Sequence, residues 1–254
     1  MDVIKKQVEK LPVYIYENRV EMGRAAAKDA AARIQAIIRS KGEANLVFAA
    51  APSQNELLAE LLTYDIDWSK VRAFHQDEYI GITREEPAGF GNFLRRAIFD
   101  RVNFKEIHYL LCEGDDTPEK KCQEYSALLE KYTPDLIFLG FGENGHMAFN
   151  DPPVADFQDP KKVKIVELDE VCRRQQVNDG CFQTLEQVPT HAMTLTMSAI
   201  MAVPQAVCVV PNRRKAKAVH DALTGPVTTK CPASILRFHP HAALYLDAQS
   251  AELI

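Results

Sequence analysis

His146 ends a run, Phe141-Gly142-Glu143-Asn144-Gly145-His146, in which two glycines bracket polar residues. Glycine permits tight backbone turns that aim side chains at a ligand, and a histidine exchanges protons near neutral pH. Proton transfer is the chemistry this suggests; a glycine-rich turn with a surface histidine is the alternative. His75-Gln76-Asp77-Glu78-Tyr79 offers two adjacent carboxylates. Neighbouring side chains point to different sides, so one can act as a base while the other caps or pairs. Ala51-Pro52-Ser53-Gln54-Asn55 sets a hydroxyl and backbone N–H groups at a helix start, which suits a phosphate, although Ser53 would serve equally as a cap. Pro211-Asn212-Arg213-Arg214-Lys215 gathers three cations, fit for phosphate or for a solvated helix start.

All four segments follow apolar runs. Leu46-Val47-Phe48-Ala49-Ala50, Val71 to Phe74, Leu136 to Gly140 and Ala206 to Val210 read as short strands of the kind buried in parallel sheets. Between them lie helical patterns: 19–41 with Gly42 as a stop, about 55–62, 91–100, 118–132 and 213–223. Further strands are expected at 107–111, 162–168, 192–197 and 243–247, and 151–160 reads as a loop over one edge of a site. Alternating strands and helices predict an α/β fold, a mainly parallel sheet flanked by helices in a Rossmann-like three-layer arrangement. No linker or repeat divides the chain, so residues 1–254 read as a single domain. Ligands of such sheets bind beyond the carboxyl ends of the strands, where all four segments fall. A base, a proton carrier and phosphate-binding groups would then share one rim.

The bulk properties narrow the class. Of 254 residues, 46% are hydrophobic and 26% charged, ordinary globular usage. A net charge of −5 gives no footprint for nucleic acid, so an anionic ligand needs a local basic pocket. No apolar run is long enough to span a membrane, and the first residues lack a signal-peptide core. Six scattered cysteines without a C-x-x-C pair read as reduced thiols of a cytoplasmic protein. No metal is expected, because His and Cys do not appear at zinc-ligand spacing.

Gly140-Phe141-Gly142-Glu143-Asn144-Gly145-His146-Met147-Ala148-Phe149-Asn150-Asp151-Pro152 resembles the signature G-x-G-x-D-G-H-I-A-F-N-E-P of glucosamine-6-phosphate deaminases/isomerases. Asp77-Glu78-Tyr79-Ile80-Gly81, Val188 to Thr196 and Arg237-Phe238-His239-Pro240 also follow that family's patterns. The related 6-phosphogluconolactonases share only the Gly-Asp-Gly-His part of the signature. The resemblance implies a metal-free and cofactor-free aldose–ketose isomerisation of an amino-sugar 6-phosphate. His146 would open the ring, Asp77 would move a proton between C2 and C1, and ammonia would leave. It also implies that Ser53, Gln54, Gly142, Gly145, Lys215 and Arg173 or Arg174 meet the substrate, Lys215 aligning with a phosphate lysine. Family members are often homo-oligomers, but no interface is legible here.

The chain departs from the pattern in three places. Asn144 replaces the aspartate that flanks the histidine, so it can orient an imidazole but not stabilise its charge. Asp151 replaces a glutamate, shortening its reach by roughly 1.5 Å. The phosphate loop lacks both family glycines. These changes keep two alternatives in view: a 6-phosphogluconolactonase-like hydrolase, and a catalytically weak sugar-phosphate-binding protein.

Overall fold

The structure, a computed structural model, describes residues 3–254. Strands β1 (Ile4–Val8) and β2 (Leu11–Tyr16) form an antiparallel hairpin ahead of helix α1 (Arg19–Lys41). Asn18 caps α1 by accepting from the N–H groups of Val20 and Glu21, and Gly42, at φ 82°, ends it in the left-handed conformation that a side chain would resist. There follow β3 (Ala44–Phe48), α2 (Asn55–Leu61), β4 (Val71–His75), β5 (Asp77–Tyr79), α3 (Phe90–Leu94), β6 (Glu106–Ile107), α4 (Pro118–Lys131) and β7 (Leu136–Leu139). The remaining elements are β8 (Val163–Glu167), α5 (Glu170–Asn178), β9 (His191–Leu195), α6 (Met197–Ala202), β10 (Gln205–Val210), α7 (Ala216–Thr224) and β11 (Ala242–Asp247).

Eight strands form one sheet in the order β1-β2-β11-β10-β7-β3-β4-β6, parallel throughout except for β1. Its central strands are apolar on both faces because helices cover both. Val47, Ile137 and Cys208 pack in one buried cluster, and Leu46, Phe48, Phe138 and Val207 in the other. Each fully buried aliphatic or aromatic side chain contributes about 1.5–3 kcal/mol. The chain runs outward from β3 to β6, returns at β7, and runs outward the other way. The reversal falls between β3 and β7, where the loops diverge and leave a crevice. Among the described residues, no helix is long and apolar enough to cross a membrane.

Several sequence expectations need correction. Segments 162–168 and 192–197 are strands, but of a separate antiparallel sheet, β5-β9-β8, in which Asp77 pairs with Thr194. The strand expected at 107–111 stops at Ile107, because the Leu110 N–H bonds to His75 Nε2 instead of continuing the ladder. The helix expected over 91–100 is a short α-helix followed by a π-type turn, Arg95–Phe99, and the one near 213–223 begins as a 3-10 turn, Arg213–Lys215. The hairpin β1–β2 and helices α5 and α6 are not anticipated.

Candidate active site

The segments that follow β3, β4, β7 and β10 meet because these are four neighbouring strands of the sheet. They line one cavity of about 110 Å³, to which Ser53, Gln54, Asp77, Gly142, His146, Asn212 and Lys215 contribute. It adjoins a lobe of about 320 Å³ that shares Ala50 to Pro52, Phe90 and part of α5. The combined space is in the range of small-molecule sites.

Asp77 lies on β5, directly beyond β4. Its carboxylate forms no hydrogen bond among the described residues and lines the cavity, while the residue is only 6% exposed. Burial, with the neighbouring Glu78 charge, pushes it well above the usual aspartate range. Glu78 faces the other way. It accepts from the N–H groups of Tyr79 (3.1 Å), Phe90 (3.0 Å) and Gly91 (2.8 Å), holding the start of α3. Burial outweighs these three bonds and lifts Glu78 to about 7. The two adjacent carboxylates thus take different surroundings, Asp77 on the cavity and Glu78 on backbone N–H groups.

His75 fixes the backbone at Asp77. Its Nε2 accepts from Leu110 N–H at 2.9 Å, so Nδ1 carries the proton and donates to the Asp77 carbonyl, also at 2.9 Å. Burial lowers His75 to about 4, which keeps this neutral tautomer at physiological pH.

His146 is held from behind. Its Nδ1 lies 2.7 Å from Asn144 Oδ1 and 2.9 Å from Asp151 Oδ1, and Asn144 Nδ2 donates to the same Asp151 oxygen at 2.8 Å. Two acceptor oxygens require a proton on Nδ1, which leaves Nε2 as the basic nitrogen. The missing charge at Asn144 is therefore supplied by Asp151. Burial alone would raise the Asp151 carboxyl; the His146 charge and the bonds from His146 and Asn144 outweigh it and hold it below its ordinary value. Gly142 is required here: a Cβ would sit 2.0–2.3 Å from imidazole ring atoms. Gly145 does not line the cavity. It turns the chain at φ 80°, and its Cβ would meet Cys231 Sγ at 2.6 Å.

Lys215 is buried, and loss of solvent lowers its pKa, partly countered by Asp179 and Glu143. Asn212, at φ 89°, shapes the turn before it, donating its N–H to both Asp247 oxygens and capping Arg214 N–H. Strain of this kind is retained where surrounding bonds enforce it. Gln54 donates to the Leu139 carbonyl at 3.1 Å and, more loosely, to Ser53 Oγ at 3.4 Å; its own Oε1 is buried with no hydrogen-bond partner among the described residues.

Besides Gly145, two expected substrate contacts are not brought to the cavity. Arg173 donates to the Leu185 (2.7 Å) and Val188 (2.9 Å) carbonyls, and Arg174 pairs with Glu170 on the exposed face of α5. Helical periodicity instead turns Gln175, Gln176 and Asp179 inward. Asn144 and Asp151 contact His146 and do not line the cavity. Arg19, Gln76, Asn212 and the inward face of α5 are lining residues that sequence reasoning did not single out. For α5 a signal existed: Asp169 caps the helix, and Cys172, Gln175, Gln176 and Asp179 keep helical spacing. Folding also brings donor atoms of His146, Asp151 and Cys172 within 4.8 Å of one another, a grouping invisible to sequence spacing. His146 and Asp151 are already engaged with each other and with Asn144.

Fold and cavity together define an α/β protein with a buried carboxylate, a backed imidazole and a buried lysine at the switch point of a parallel sheet. Residues 17–245 match the family described as glucosamine-6-phosphate isomerases/6-phosphogluconolactonase, and the chain belongs to that family. A glucosamine-6-phosphate deaminase of Bacillus cereus (strain B4264) is 33% identical over 220 residues, covering 87% of this chain and 82% of the relative. One from Exiguobacterium sibiricum is 35% identical over 189 residues, covering 74% and 73%. Among solved structures, a monomeric glucosamine-6-phosphate deaminase superposes with TM-score 0.85 at 24% identity, covering 95% of this chain and 99% of the other. A 6-phosphogluconolactonase from Trypanosoma brucei gives 0.78 at 15% identity, covering 98% and 99%. At these identities the structural likenesses speak for the fold.

Proposed function

We propose that the protein is an aldose–ketose isomerase/deaminase that converts glucosamine 6-phosphate, or a close hexosamine-phosphate analogue, to fructose 6-phosphate and ammonia. In this reading residues 1–254 act as one cytoplasmic enzyme domain. His146 Nε2 exchanges the proton of ring opening, with Asp151 stabilising the charge that the imidazole gains. The Asp77 carboxylate takes the C2 proton and returns it to C1. The amino group, protonated, leaves as ammonia after the resulting enolamine becomes an imine and adds water. Lys215 and Ser53 hold the phosphate. A protein carbonyl or cofactor is not needed as an electron sink, because the substrate's own C1 carbonyl serves.

One observation carries the reading: Asp77 is buried, forms no side-chain hydrogen bond among the described residues and is raised well above the usual aspartate range by burial, yet it faces the same cavity as the His146 imidazole. A carbon-bound proton calls for a base of raised pKa, whereas a lactone hydrolase needs only a base for water. Relatives named glucosamine-6-phosphate deaminase support the same conclusion. The test is ammonia release and ketose formation from a panel of 2-amino-2-deoxyhexose 6-phosphates, with 6-phosphogluconolactone as a parallel substrate. Turnover of a hexosamine phosphate is expected. Turnover of the lactone alone, or of neither, would overturn the assignment.

A further inference from the structure

The phosphate end of the cavity is short of positive charge. A phosphate monoester carries about 1.5–2 negative charges near neutral pH. Lys215 brings one cation, and Asp179 lines the same space. Arg214 is drawn to carboxylates, 3.7 Å from Asp179 and 4.0 Å from Glu143, while Arg173 and Arg174 bond elsewhere.

Arg19 lines the cavity beside the turn that carries Ser53. It is the first residue of α1, and α2 lies close to that helix because position 23 is glycine: a Cβ there would sit 2.4 Å from Glu56 Cβ. Glu56 consequently pairs with the guanidinium, Oε2 accepting from Nη2 at 2.8 Å and Oε1 lying 2.7 Å from Nε without hydrogen-bond geometry. Nη2 also donates to the Pro52 carbonyl at 2.9 Å. Nη1 forms no hydrogen bond among the described residues. A guanidinium has five donors, so a carboxylate on the Nε–Nη2 edge leaves the Nη1 side able to take a second oxyanion.

We propose that Arg19 is the second cation of the phosphate subsite, its plane fixed by Glu56 and Pro52 and its Nη1 side presented to the substrate phosphate opposite Lys215. This rests on the sugar-phosphate reading above. The competing role is mechanical, a strut that anchors the 51–54 turn.

Two substitutions separate the roles, Arg19→Gln and Glu56→Gln. Steady-state kinetics should show KM for the hexosamine phosphate raised about ten- to hundredfold in Arg19→Gln, as expected for a lost charge-assisted bond, with kcat within threefold. Glu56→Gln, which frees the guanidinium, should leave KM unchanged or lower it. Inorganic phosphate should raise the Tm of the wild type and of Glu56→Gln, and raise it much less in Arg19→Gln. A mechanical strut would instead make both variants raise KM alike and leave the phosphate-induced Tm shift intact in Arg19→Gln; that result overturns the proposal. The Tm arm needs no turnover, so absence of activity in the wild type would count against the proposed reaction while the phosphate shift still decided the role of Arg19.

Discussion

Replacing Asp151 by asparagine isolates the electrostatic part of the His146 support. The amide is nearly isosteric and can keep an oxygen toward His146 Nδ1 and Asn144 Nδ2, contacts now at 2.9 Å and 2.8 Å. Orientation survives and charge does not. Unit charges at that separation attract by about 6 kcal/mol at an effective dielectric of 20, an upper bound before desolvation. Hydrogen bonds to charged groups contribute about 1.5–3 kcal/mol net. The charge matters only when the imidazole is protonated during ring opening, so it should appear in kcat, as a loss of about ten- to 150-fold, with KM nearly constant. Initial rates of ammonia release measure it directly. Because Asp151 is held below its ordinary value, its contribution to stability is present above the unfolded pKa near about 4 and is lost as pH falls through the lower folded value. The variant should therefore show a flatter acid limb of Tm against pH. A kcat within threefold of wild type would show that Asn144 orientation suffices and that the Asp151 charge has no part in catalysis.

Other substitutions distinguish chemistry from scaffolding. Asp77 is a base only when ionised and its pKa is raised, so kcat/KM should fall on the acid side above the usual aspartate range, and Asp77→Asn should abolish turnover with the fold intact by circular dichroism. Gly142→Ala would drive a methyl into the imidazole and should lower kcat at least tenfold, about 1.4 kcal/mol, while phosphate binding persists in a Tm-shift assay. Arg173→Ala should lower stability by about 1–2 kcal/mol in chemical denaturation by stripping donors from the Leu185 and Val188 carbonyls, with KM unchanged. Arg174→Ala, on the exposed face, should change neither by more than about 0.5 kcal/mol.

The parallel sheet was legible because its central strands are buried on both faces and read as unbroken apolar runs, Leu136 to Leu139 above all. The rim was legible for the same reason, since each chemical segment begins where such a run stops. What escaped depends on long-range contact. The strand β8 is only partly buried and carries Lys164 and Glu167, so its sequence does not reveal which sheet it joins; antiparallel pairing with β9 decides that. The short β1 strand is mostly exposed and lacks a core-facing pattern. Arg173 and Arg174 sit in the right stretch of chain, but a helical step of one residue turns a side chain by about 100°, and the inward face belongs to Gln175, Gln176 and Asp179. Asn144 looked like a loss of charge because the sequence does not show that Asp151 folds back to within 2.9 Å of the same imidazole nitrogen.

The most direct test is a crystal structure with a non-reacting open-chain analogue, 2-amino-2-deoxyglucitol 6-phosphate. Asp77 should lie over the C1–C2 bond, His146 Nε2 within hydrogen-bond reach of the C5 oxygen, and the phosphate on Lys215. A phosphate bound away from Lys215, or a C1–C2 bond out of reach of Asp77, would contradict a single shared site.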